Sequence, residues 1–186
     1  MDAPDKAIPR SVLEKAEAIA VFPGTLKGGF IFGGHRGRGI ISGHDRAAGA
    51  WSPPAFLTLT GASFGAQIGG EAVDLVLVVM NRRGLENLLR NQFKIGGDAA
   101  VAAGPLGRDV EASTDIQMRA EILSYSRARG LFAGVTLKGS SISQDRDANE
   151  RFYGVAHRSR DIVVDGRATT KPPVGVWIDT LKRYSR

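Results

Sequence analysis

The chain has 186 residues, 42% hydrophobic and 24% charged, which suits one domain with a sizeable core. It has no cysteine, which excludes disulfides, thiolate metal sites and a cysteine nucleophile. A net charge of +6 favours anionic partners. No apolar run approaches the roughly 20 residues that a membrane-spanning helix needs.

Pro9 suits a first helical position, and Ile8, Val12, Ala16 and Ile19 follow helical spacing, so the chain opens on a predicted amphipathic helix. "AIAVF" at 18–22 reads as a strand that stops at Pro23-Gly24. "GGFIF" and "GRGIIS" predict two strands, with a glycine-rich turn between them whose tip lies around His35–Arg38. After a break at Pro53-Pro54, "AFLTLTGASFGAQIGG" starts as an alternating strand, and "EAVDLVLVVM" reads as a buried central strand. Asn81 is placed to cap a helix over about 82–92, with Leu85, Leu88, Leu89 and Phe93 on its apolar face.

"DAAVAAGPLG" reads as a small-residue strand and turn. "AEILSYSRARGLFAGVTLKGSSIS" predicts a hairpin with its turn near Arg127–Gly130. Asp145 or Asp147 starts a short helix that ends at Gly154. The segment 173–186 places Val174, Trp177, Ile178 and Leu181 on one helical face. Strands and helices do not alternate regularly, so a doubly wound parallel sheet is excluded. The expected fold is α+β, one domain over 1–186. Its sheet is curved, mostly antiparallel and barrel-like, with about eight short strands and three or four helices.

Phosphate-loop patterns fail at named positions. Gly28 and Gly33 have the Walker spacing, but Gly34 and His35 replace its lysine and hydroxyl. A dinucleotide pattern starting at Gly37 meets Ser42 where its third glycine belongs, and no helix follows. "GASFG" at 61–65 matches the nucleophile elbow around Ser63, with His157 in a permissible chain order. The elbow needs a helix after the turn, and Gly69-Gly70 with β-branched residues follows instead. A Ser63 hydrolase is therefore the lesser alternative, and no catalytic residue is assigned.

His35, His44 and His157 lack paired metal spacing, so no metal or cofactor is expected. Glu71 and Asp74 point to opposite faces of a strand, which argues against joint acid–base work. No nucleic-acid-binding signature is present. The charge is uneven: residues 18–44 contain no acid but hold Lys27, Arg36 and Arg38 with His35 and His44. That stretch makes a local positive field, which is either a site for anions or a solvated basic face.

Five segments together resemble the SYLF domain family. They are "EKAEAIAVFPGTLKGGFIFGGHRGRGII", "GAWSPPAFLTLTGASFGAQIGGEAVDLVLVV", "GGDAAVAAGPLGRDVEAS", "SYSRARGLFAGVTLKGSSI" and "ANERFYG". They follow one another in family order and span about 8–154. The resemblance implies binding to acidic lipid headgroups, phosphoinositides in eukaryotic members, with no catalysis. Some fungal members also bind and bundle actin. The chain carries no appended Src-homology domain and looks like the stand-alone bacterial form.

The expected location is the periplasm or cell envelope if an export signal was trimmed, and otherwise the cytoplasm. The expected partners are anionic membrane lipids, met peripherally, and in the alternative a protein. From charge and position, the expected contact residues are Lys27, His35, Arg36 and Arg38, with Lys6, Arg10 and Lys15 of the first helix. The apolar face of that helix either inserts into lipid or packs in the core.

Overall fold

Two kinds of strand sequence build this fold. "AIAVF" and the "LVLVV" of 75–79 are continuously apolar and bury both faces of the sheet, whereas "HRGRGIIS" and "AFLTLT" alternate and bury one. A computed structural model describes residues 7–24, 34–62, 73–95, 101–107, 119–128, 131–135, 137, 139–169 and 174–185.

The strands are β1 (Ala18–Phe22), β2 (Gly34–Asp45), β3 (Ala50–Trp51), β4 (Ala55–Ala62) and β5 (Asp74–Val79), then β6 (Gln92–Lys94), β7 (Val101–Ala103), β8 (Ile122–Ala128), β9 (Leu131–Gly134) and β10 (Ser140–Gln144). The helices are α1 (Arg10–Glu14), α2 (Arg82–Leu88), α3 (Arg146–Tyr153), α4 (Ser159–Val163) and α5 (Val174–Tyr184). Eight strands form one path, β6-β10-β4-β2-β1-β5-β8-β7, while β3 pairs with β2 and β9 with β8. Every pairing is antiparallel except that of β7 with β8. The result is the expected α+β fold around a strongly curled, half-barrel sheet.

Side-chain alternation sorts the core into two layers. Ala18, Ala20 and Phe22 of β1 join Leu75, Leu77 and Val79 of β5 on the inner face. There they meet Ile41, Leu57, Leu59, Phe93 and Ile142, and α2, α3 and α4 close that layer with Leu88, Tyr153 and Ile162. Ile19 and Val78 point the other way, into a second layer with Val12 and Ala16 of the α1 region and Val174, Ile178 and Leu181 of α5. Burying each such aliphatic side chain contributes about 1.5–3 kcal/mol. Among the described residues, α1 and α5 cover the outer face over β1, β5 and β8 and reach β2 through the Trp177–Ser42 hydrogen bond, whereas the outer face of β4, β10 and β6 lacks a comparable apolar layer.

Several expectations change in detail. The first helix is one short turn, and Ile19 belongs to β1. Its apolar face packs in the second core layer and does not insert elsewhere. The supposed turn around His35–Arg38 is the interior of β2, paired with Gly61 through Thr58 of β4. "GGFIF" lies outside the described residues. The helix after Asn81 ends at Leu88, and Phe93 reaches the same core from β6. The described residues hold five helices rather than three or four, because α4 carries no periodic pattern long enough to read.

Candidate functional site

"HRGRG" is explained by strand parity. Gly37 and Gly39 are buried and face the inner layer, while Arg36 and Arg38 are exposed on the outer face. A Cβ at position 39 would lie 2.6 Å from the Val21 carbonyl oxygen and run into the Phe22 ring. Glycine there lets β2 close tightly on β1, and that closeness presents the two arginines outward.

The registers extend this face across four strands. One row runs Arg36, Thr60, Ser141, Lys94, and the next runs Arg38, Thr58, Ser143, Gln92. Cations therefore flank a band of hydroxyls. Thr60 Oγ1 and Ser141 Oγ share a hydrogen bond of 2.9 Å within the first row. Arg36, Thr60, Lys94 and Gln92 are exposed, Ser141 and Ser143 half-buried and Thr58 buried. The row beyond, Ile40 with Phe56, is half-buried, and Phe56 meets Phe152 of α3 with ring centroids 5.3 Å apart.

Asp145 touches this face. It lies 3.6 Å from Arg38 Nε, while its other oxygen accepts the Ala148 N–H at 3.0 Å as the cap of α3. The Arg38 side chain is 73% exposed, and an ion pair of that kind contributes about 0–1 kcal/mol, so the guanidinium can still meet an external anion. The absence of acids from 18 to 44 thus did not leave Arg38 unpaired, because its partner comes from a distant segment. Arg36 makes no ion pair with the described residues. Hydroxyls and cations together can solvate an anion, whereas among the described residues no three His, Asp or Glu side chains gather to hold a metal.

The other expected contact residues are spread more widely. Arg10 and Lys15 are exposed at the two ends of α1, and no described contact joins either to Arg36 or Arg38. His35 pairs through its backbone with Gly61, and its side chain lies outside the described residues. Lys6, Lys27 and Ser63 lie outside the described residues, as does Glu71. Asp74 is half-buried and accepts the Gly24 N–H at 2.9 Å. His44 stacks on Trp51 at 4.4 Å, and His157 meets the edge of Tyr153 at 6.3 Å. Both histidines therefore have packing roles. Lys94, Thr60 and Ser141 were not picked out in the sequence, where they are far apart and unremarkable. The period-two pattern of "LTLT" and "SSIS" was the signal available, since it marks strands with one polar face.

Among the described residues no helix is long and apolar enough to cross a membrane. Residues 60–184 match the family model Ysc84, described as "Las17-binding protein actin regulator". The LAS seventeen-binding protein 3 of Saccharomyces cerevisiae (strain ATCC 204508 / S288c) is 35% identical over 173 residues, covering 91% of this chain and 37% of the relative. Protein YSC84 of the same yeast strain is 34% identical over 171 residues, covering 90% of this chain and 36% of the relative. The human SH3 domain-containing YSC84-like protein 1 is 35% identical over 163 residues, covering 87% and 47% respectively. The chain spans less than half the length of these curated relatives.

Proposed function

The chain belongs to the Ysc84, or SYLF-domain, family, and from that premise we propose that it is a non-enzymatic module that binds anionic lipid headgroups at a membrane surface. The observation that carries this reading is the pair of polar rows on the outer face of β2, β4, β10 and β6, where Arg36, Arg38 and Lys94 border a hydroxyl band. A sheet face of this kind can lie flat against headgroups. Each Lys or Arg near an acidic surface is worth about 1 kcal/mol, and the hydroxyls can hydrogen-bond phosphate oxygens. A phosphoinositide-like headgroup fits because it concentrates phosphates over an area comparable to two adjacent rows. Attachment is peripheral, and the compartment is the cell envelope if an export signal precedes this chain.

The test is co-sedimentation with vesicles of phosphatidylcholine alone, or with added phosphatidylserine or phosphatidylinositol bisphosphate. Binding should need the acidic lipid and weaken as salt rises. Replacing Arg36→Glu together with Arg38→Glu should weaken it about tenfold or more while leaving the melting temperature unchanged. Equal binding to neutral vesicles, or none to either, would sink the reading.

A second reading has its own support. The family's description and the yeast relative's name both specify a protein partner, Las17. In that reading the same basic face docks an acidic protein segment. Capture of one specific protein by the wild type but not by the double variant, with no acidic-lipid binding, would favour it.

A further inference from the structure

A second basic site lies at the β6 margin of the sheet, where a cleft of about 440 Å³ is lined by Arg90, Asn91, Gln92, Gln144, Arg158 and Arg160. No acid is among these residues, and the side chains of Arg90, Arg158 and Arg160 form no ion pair with the described residues. Nearby carboxylates are already engaged. Glu86 pairs with Arg82 at 3.4 Å, and Asp161 accepts the Arg158 N–H at 3.0 Å and faces Arg167 at 3.9 Å.

Two of the amides that line the cleft, Asn91 and Gln144, are tied to their surroundings. Arg146 Nη2 donates to Asn91 Oδ1 at 2.6 Å, and Gln144 Nε2 donates to the same oxygen at 3.4 Å. Arginine can only donate, so Asn91 turns its oxygen toward Arg146 and Gln144. Gln144 is held at both ends, donating to the Leu89 carbonyl at 3.0 Å and accepting the Ser159 N–H at 2.9 Å. That clamp ties the segment before β6, which carries Arg90, to the start of α4, beside Arg158 and Arg160.

We propose that this cleft binds a compact group bearing several phosphates. Three guanidiniums supply N–H donors with no acid among the lining residues, and each guanidinium offers a planar fork that matches two phosphate oxygens. The volume accommodates a small phosphorylated ring. The group is either a soluble polyphosphorylated molecule or the headgroup of a lipid. Gln92 lines the cleft and also ends the second row of the outer face, so a headgroup in the cleft would sit beside a membrane held by that face. Occupancy by a soluble ligand does not depend on the membrane reading.

The experiment is calorimetric titration of the wild-type chain with myo-inositol hexakisphosphate, then with sulfate as a single-anion control. Binding should be seen for the first and be at least tenfold weaker for the second. The variant Arg90→Gln/Arg158→Gln/Arg160→Gln should lose at least tenfold in affinity, with an unchanged melting temperature. Lys182→Gln/Arg183→Gln on α5, in neither the cleft nor the polar rows, should retain wild-type affinity for the soluble probe. Amide NMR shifts on titration should concentrate at 89–92, 144 and 158–160. Vesicles containing phosphatidylinositol bisphosphate that compete with the probe would identify a lipid headgroup as occupant, and failure to compete would identify a soluble one. The proposal is overturned if the wild type does not bind the probe, or if the cleft variant binds it as well as the wild type. Failure of vesicle binding alone would remove the membrane reading and leave the cleft standing.

Discussion

Gly104 has no side chain because Tyr125 occupies that space. A Cβ at position 104 would overlap the Tyr125 ring, which lies wholly buried in the second core layer. The "AGPLG" segment therefore supplies a bare backbone for an aromatic ring to lie on. The Tyr125 hydroxyl is buried without a hydrogen-bond partner among the described residues, and burial pushes its phenol well above the ordinary value. Ring and hydroxyl thus make opposite contributions. Gly104→Ala should lower the free energy of unfolding by about 2–3 kcal/mol in urea denaturation, the usual cost of overpacking a filled core. Tyr125→Phe keeps the ring and removes the unpaired hydroxyl, so it should be neutral or stabilising by about 1 kcal/mol. Tyr125→Leu should partly rescue Gly104→Ala, since the two substitutions share one contact. Full stability in Gly104→Ala alone would show that the ring moves aside freely.

Two segments that looked unrelated along the chain, "WSPPAF" and "ANERFYG", form one clasp between β4 and α3. Asn149 is fully buried, its Oδ1 accepts the Phe56 N–H at 2.8 Å, and its Nδ2 donates to Ser159 Oγ at 3.4 Å. The Tyr153 hydroxyl donates to the Pro54 carbonyl at 2.6 Å. Asn149→Ala leaves a buried backbone N–H without an acceptor and should cost about 1–3 kcal/mol in the same measurement. Burial pushes the Tyr153 phenol from 10.0 up to about 12, so the fold favours its neutral form. Its contribution is complete below pH 10, where the unfolded phenol titrates, and is lost as pH rises through about 12. Melts at pH 8 and pH 11 should differ less in Tyr153→Phe than in the wild type. An equal drop in both would place the alkaline sensitivity elsewhere, with Tyr125 the next group that titrates in this direction. The ends of α3 were readable from the chain, because Asp145 is a short acceptor before the helix and Gly154 takes φ 75° after it. The Asn81 cap and the buried face of α5 were readable for similar local reasons. The clasp was not, since its contacts join residues some 90 positions apart and no local pattern encodes them.

Across the whole molecule, stability and the proposed sites occupy different parts of the sheet. β1 and β5 are central, hydrogen-bonded on both edges and covered on both faces, whereas among the described residues β6 pairs only with β10 and β9 only with β8. The outer polar rows and the arginine cleft lie toward the β6 margin. The sequence disclosed only the β2 end of the polar rows, through its arginines, and its glycines pointed to a turn there because glycine usually marks one. Lys94 joins the row of Arg36, and Arg90 meets Arg158 in the cleft, only through long-range pairing that the chain order does not show. The same order predicts a gradient of local stability. Amides of Ala20 and Leu77 should exchange with deuterium only through global unfolding, with opening free energies equal to that from denaturation. Amides of β9, where Leu131 is 45% exposed, should exchange through local openings that cost several kcal/mol less. The margin strand β6 should fall between them, and inositol hexakisphosphate bound in the cleft should slow exchange there while leaving β1 unchanged. Exchange of Ala20 as fast as that of Leu131 would mean that the doubly covered centre is not the last part of the sheet to open. Protection gained in β1 but not in β6 would move the anion site away from the margin.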